Sequence, residues 1–290
     1  MKTPLDIQPR LDGVTHRMVN VGGLNIHVAE AGQGAPLLLL HGFPEHWWQW
    51  HRIIGPLAEN HRVICPDGRG AGWTDAPGSG YGRDQLAADV LGLLDALGLE
   101  KVGVLSHDWG SLVTYQVCLR HPDRVSAHLS LSIPPPYFDF DIRMVLTILR
   151  HVRHNVVAMP VIGAGLLRPA LVRRVLADFS AAGSFTEQDA DLFAGRYADP
   201  ARSRAGSALY RQFINPEGVR IMRGAYRNTR LATRTRVLIG TDDPGMQAGF
   251  VHGYKQFCDD LDVDYLSGAN HFVAADRPDA VITAAREVFA

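Results

Sequence analysis

Three short runs, "APLLLLHG" (35–42), "RVICPD" (62–67) and "KVGVL" (101–105), are apolar along nearly their whole length and each ends at a turn. A strand with no polar alternation is buried on both faces, as in a parallel sheet covered by helices. Helical patterns fill the gaps. Leu86, Val90, Leu93, Leu94 and Leu97 fall on one helical face, and Gly98 stops that helix. "GSLVTYQVCLRHP" (110–122) reads as the next helix and "VSAHLSLS" (125–132) as the next strand. Ahead of them, "HRMVNVGGLNIHVAEAG" (16–32) alternates around Gly22-Gly23, the pattern of a hairpin. Such alternation predicts an α/β fold with a mostly parallel central sheet and helices on both faces.

The alternation stops at "IPPP" (133–136) and resumes at "RVLIGTDD" (236–243). The block between is helix-like, with no clear strand. We read residues 1–133 and 235–290 as one core and 134–234 as an inserted helical cap. Charge breaks at the same place: residues 134–236 hold 16 Arg, no Lys and 8 acids, although the whole chain carries only −1. The plain reading is a solvated basic surface; the sharper one is attraction of acidic ligands. So small a net charge gives no bulk field for nucleic acid or a membrane. Cys65, Cys118 and Cys258 are odd in number and widely spaced, which suggests buried, reduced thiols. With no signal-peptide core near the N-terminus and no long apolar run, the chain reads as soluble and cytoplasmic.

The residues that carry chemistry lie where strands end, which is where ligands collect in open parallel sheets. "SHDWGS" (106–111) sits between a strand and a helix, with small residues around Asp108. Tight strand-to-helix turns of this kind hold an exposed nucleophile. Ser106 is a rival nucleophile, but it sits two residues early. Asp108 could also serve only as a helix N-cap. Two adjacent acids, Asp242 and Asp243, follow a late strand, and His271 follows the last one. An ionised carboxylate needs no base to attack carbon, and the alkyl ester it forms must then be hydrolysed.

In this order the motifs resemble an α/β hydrolase and, within that fold, the epoxide hydrolase branch. "HGFP" (41–44) resembles the oxyanion loop, "SHDWGS" the nucleophile turn, and "GTDDP" (240–244) the acid turn. "GANHF" (268–272) resembles the His loop, and "GSALYR" (206–211) a cap motif ending in Tyr-Arg. Together they span nearly the whole chain.

The resemblance implies that Asp108 opens an epoxide to a covalent ester. His271, oriented by Asp243 in preference to Asp242, would then activate the water that releases a vicinal diol. It also implies oxyanion donors at the backbone of Phe43 and Trp109, set in a loop with His41, Gly42 and Pro44. Tyr210 is implied as an acid for the ring oxygen. Its usual tyrosine partner has no match, which leaves Tyr226 or His154 as candidates.

The partner implied is a small apolar epoxide, and a homodimer is left open. No metal or other cofactor is implied. His41, His46 and His51 are five residues apart and do not share a helical face. "GRGAG" (68–72) lacks the full dinucleotide spacing. Trp47, Trp48 and Trp50 read as helix packing, and "DDLDVD" (259–264) as a solvated turn. Dehalogenation with the same nucleophile is the nearest alternative. A non-catalytic binding protein on this fold is the alternative from another class.

Overall fold

Gly22 and Gly23, at φ 57° and 92°, turn β1 (Thr15–Val21) directly back into β2 (Leu24–Ala31). Two successive positive φ values suit the twist of an antiparallel pair, and glycine takes them without strain. The computed structural model describes residues 8–137, 139–140, 156–159, 162–246 and 251–290. After the hairpin come β3 (Ala35–Leu40), a short helix α1 (Ile54–Ala58) and β4 (His61–Pro66). Then follow α2 (Arg83–Ala96), β5 (Val102–His107), α3 (Trp109–Arg120) and β6 (Val125–Leu131). The segment "WWQW" forms a short 3-10 turn ahead of α1. Trp47 and Trp50 are fully buried there, so their role is packing.

One sheet of eight strands holds the core, in the order β1-β2-β4-β3-β5-β6-β8-β10, where β8 is Arg234–Gly240 and β10 is Leu261–Leu266. From β4 to β10 every pairing is parallel; β2 runs antiparallel to both β1 and β4. The apolar strands Leu37–Leu39 and Val63–Cys65 lie at the centre with no exposure. Burial at about 25 cal/mol per Å² of apolar surface is what holds them there.

Between β6 and β8 no described strand joins the main sheet. This stretch carries α4 (Gly163–Leu166), α5 (Pro169–Asp178), α6 (Glu187–Arg196), α7 (Pro200–Gln212) and α8 (Gly218–Met222). The sequence suggests no strand in this block, yet β7 (Asp139–Phe140) pairs with β9 (Val251–His252). Two residues are too short a run to show alternation, and the partner lies more than 100 positions away.

Buried polar contacts tie these helices to the sheet's loops. Trp48 donates its indole N–H to Asp189 at 2.8 Å. Arg202 donates to the carbonyls of Ala71 and Thr74, both at 3.0 Å. The chain closes with α9 (Val273–Asp276) and α10 (Pro278–Val288).

"DDLDVD" is a second departure, since Leu261–Asp264 already belongs to edge strand β10. Acids on an exposed edge discourage pairing with another chain, and Asp264 pairs with Arg236 at 2.7 Å. The three cysteines are buried, free thiols. Among the described residues, no helix is long and apolar enough to cross a membrane.

Candidate active site

β5 runs straight into α3 through one residue, Asp108, which sits at φ 48° and ψ −119°. A non-glycine residue held there costs on the order of 1–3 kcal/mol, and such strain collects at functional sites. The turn is tight on both sides. A Cβ at position 110 would come within 2.4 Å of the Leu40 carbonyl, and one at position 42 within 2.7 Å of the Asp108 Cβ. Glycine is therefore required at both places. The Asp108 side chain makes no capping bond to α3. Oδ2 instead accepts the Phe43 N–H at 3.0 Å. Trp109, the first residue of α3, carries an N–H that helix geometry leaves without an intrahelical partner.

His271 stands between two carboxylates. Its Nδ1 lies 2.8 Å from Asp243 Oδ2, and its Nε2 lies 3.7 Å from Asp108 Oδ1. Of the two adjacent acids, Asp243 is buried against the imidazole, whereas Asp242 is exposed and accepts from Thr241. Burial alone would push the His271 pKa down. The Asp243 charge and the contacts with Asp108 outweigh it and hold the pKa well above its ordinary value. Burial likewise opposes ionisation of Asp108. The His271 contact and charge, then His107 and the Phe43 N–H, outweigh it and leave its carboxyl below the usual range.

Aromatic side chains cluster beside the nucleophile turn. The Tyr210 ring packs on Phe43 and Trp109, with centroids 5.5 Å away in each case, and Trp109 also packs, tilted, on Phe213 at 4.5 Å. Burial, with the Asp108 charge second, raises the Tyr210 phenol pKa, so the hydroxyl keeps its proton. Tyr226 does not join this group. Its hydroxyl contacts Arg83 and Glu217 and accepts from Gln116 at 2.9 Å, because "GAYRN" lies over α2 and α3 rather than over Asp108. His154 lies outside the described residues.

The rest of the "HGFP" loop is held from behind. His41 donates to the Gly42 carbonyl and accepts the Gly68 N–H, so its ring braces two loops. Gln49 accepts the Gly42 N–H at 3.1 Å. The Phe43–Pro44 bond is cis. Ser106 is fully buried and hydrogen-bonded to Ser111 and His128, which removes it as a rival nucleophile.

Several supporting residues escaped the sequence reading. His107 reaches Glu45 with one nitrogen and the His271 carbonyl with the other, each at 3.0 Å. Ser132, at φ 68°, donates its hydroxyl to that same carbonyl. The Phe179 carbonyl, between β6 and β8, accepts the His271 N–H at 3.1 Å. Only the position of His107 beside Asp108 could have drawn notice to it. Among the described residues, no group of three His, Cys, Asp or Glu side chains could hold a metal.

Comparisons with known proteins bear on the fold and family. The family profile described as the alpha/beta hydrolase fold matches residues 35–278. "Epoxide hydrolase 3" of Siraitia grosvenorii is 41% identical over 126 residues, 42% of this chain and 40% of that protein. The chain thus matches well under half the length of such relatives. "Epoxide hydrolase 2" of Caenorhabditis elegans is 25% identical over 284 residues, 92% of this chain and 77% of that protein. The solved structure of the epoxide hydrolase CorEH superposes with a TM-score of 0.83 at 27% identity, covering 95% of this chain and 98% of that one.

Proposed function

This chain belongs to the α/β hydrolase fold family, and from that premise we propose that it is an epoxide hydrolase working through an ester on Asp108. The observation that carries the reading is the run Asp108–His271–Asp243, with one Asp108 oxygen held by the Phe43 N–H. The relatives named above carry the same activity in their names. Residues 134–234 act in this reading as a cap over the core formed by 1–133 and 235–290.

In the first step Asp108 Oδ1 attacks a ring carbon. The C–O bond of the epoxide breaks, and the Tyr210 hydroxyl protonates the departing oxygen. Oδ2 becomes the ester carbonyl oxygen and stays on the Phe43 N–H. Esterification removes the Asp108 charge, one of the influences that hold a proton on His271. His271 can then give up that proton, which restores the Tyr210 phenol, and take one from a water molecule, which attacks the ester carbon. The tetrahedral oxyanion rests on the N–H groups of Phe43 and Trp109, where a single donor contributes about 2.7–4 kcal/mol. Collapse breaks the ester C–O bond, and the leaving alkoxide takes the proton of the new carboxylic acid, which frees the diol and restores the Asp108 carboxylate beside protonated His271. Asp243 orients His271 and stabilises its cation. The cluster of Phe43, Tyr210 and Trp109 favours an apolar substrate.

Dehalogenation remains a second reading because the Trp109 indole N–H is buried without a hydrogen-bond partner and could receive a halide. One experiment separates the two. His271→Gln protein is incubated with panels of epoxides and haloalkanes, then weighed intact and mapped by peptide. Ring opening adds the whole mass of the epoxide to the Asp108 peptide, whereas halide displacement adds the alkyl group alone. No adduct, together with activity surviving in Asp108→Ala, would falsify both.

A further inference from the structure

A cavity separate from the triad opens between the ends of the central strands and the paired helices α2 and α3. Its volume is about 90 Å³, of the same order as the ~150 Å³ apolar cavity that takes up benzene or xenon. Asp108, His271, Asp243, Phe43 and Tyr210 do not line it; His41, Gly42, Trp109 and Gly110, from the far side of the same turns, do. Its walls are mostly hydrocarbon: Leu86, Val90 and Leu93 from α2, Val113 from α3, and Leu209 from α7.

The polar side chains on its wall are already engaged. Asp89 takes two bonds of 2.7 Å from Arg69, which internally cancels the one cation lining the space. Asp67 accepts from His27 and from the N–H groups of Trp47 and Trp73. His41 has a partner on each ring nitrogen. Trp109 also lines the space, with its indole nitrogen fully buried. A ligand here would therefore meet mostly hydrocarbon, with two carboxylates, Asp67 and Asp89, against one guanidinium, all already hydrogen-bonded, so an anion is disfavoured and a neutral molecule fits the wall.

We propose that this cavity is a second binding site, for a small neutral molecule of alkyl or aryl character. The inference does not depend on the reaction assigned to Asp108. Dry apolar cavities in proteins take up benzene and xenon, whereas polar ones hold ordered water. The choice of occupant thus follows from the wall.

The test uses the intact chain. Crystals are pressurised with xenon, and benzene is titrated in solution while the thermal midpoint is followed. The expected result is xenon density bounded by Leu93 and Val113, and a midpoint that rises with benzene concentration. Val113→Phe fills the space and is expected to lose the xenon density and weaken benzene binding at least tenfold. Val90→Phe serves the same purpose from α2 if the first variant does not fold. The proposal is overturned by ordered water in place of xenon, by no midpoint rise in the native protein, or by a folded, filled variant that binds benzene like the native one.

Discussion

A proton on His271 is useful in one half of the proposed reaction and obstructive in the other. Burial pushes its pKa down, but Asp243 and Asp108 raise it further than burial lowers it. The ester removes the Asp108 contribution and keeps that of Asp243. Water activation needs the neutral imidazole, so ester breakdown slows as pH falls through the pKa of His271 in the ester. Asp243→Asn removes a charge that favours the cation, and the acid limb then moves to lower pH as the plateau rate drops. Single-turnover decay of the ester across a pH series measures both, and a limb that stays in place counts against the assignment. Tyr210→Phe removes the proposed acid without touching the base. It is expected to slow ester formation by about 10²–10⁴-fold, the range for general acid catalysis, and to leave ester decay nearly unchanged. Equal slowing of both steps contradicts that role.

The strand-to-helix turn depends on contacts closer than any side chain allows. Gly110→Ala places a Cβ within 2.4 Å of one carbonyl and 2.7 Å of the next, both backbone atoms with nowhere to move. Overpacking of this kind costs about 1–3 kcal/mol, so urea unfolding is expected to show a loss of that order. Displacing the Asp108 carboxylate by about 1 Å also costs roughly 10²-fold in rate. A variant that keeps native stability and turnover would mean that the turn is looser than its geometry implies. The helices between β6 and β8 are tied to the same region, since the Phe179 carbonyl holds the His271 N–H. Their position is thus coupled to the base.

Two histidines buried without charge make the whole molecule sensitive to acid. Burial is the largest influence on each and pushes His46 and His128 down to about 3. Unfolded, each titrates near 6.5. Their contribution to stability is therefore complete above about pH 6.5 and is lost as pH falls toward 3, because the unfolded chain takes up protons that the folded one refuses. Each bound proton contributes a slope of about 1.4 kcal/mol per pH unit. Urea midpoints measured between pH 6.5 and 4 are expected to fall steeply. His128→Gln, though less stable at neutral pH, is expected to fall less steeply by about one proton. An unchanged slope rules His128 out as a source.

The order of strands and helices was legible in the sequence because burial on both faces leaves continuous apolar runs, and a helix packed on a sheet leaves a 3.6-residue stripe. The positions of Asp108, His271 and the acid turn were legible for a related reason: strands of a parallel sheet end at one edge, so residues just past those ends must gather. Spacing left Asp242 and Asp243 both open; only the folded loop shows which carboxylate is buried against the imidazole. Tyr226 and Tyr210 each precede an arginine, and sequence could not show that one hydroxyl lies on Arg83 while the other ring packs beside Trp109. Glu45, Ser132 and the Phe179 carbonyl carry no local pattern, since their partners stand tens to more than a hundred residues away. Periodicity records which face of an element is buried, and from that the sequence by itself determined the sheet and the edge where chemistry sits. Which polar atoms meet across that edge depends on long-range packing, and that only the tertiary structure decided.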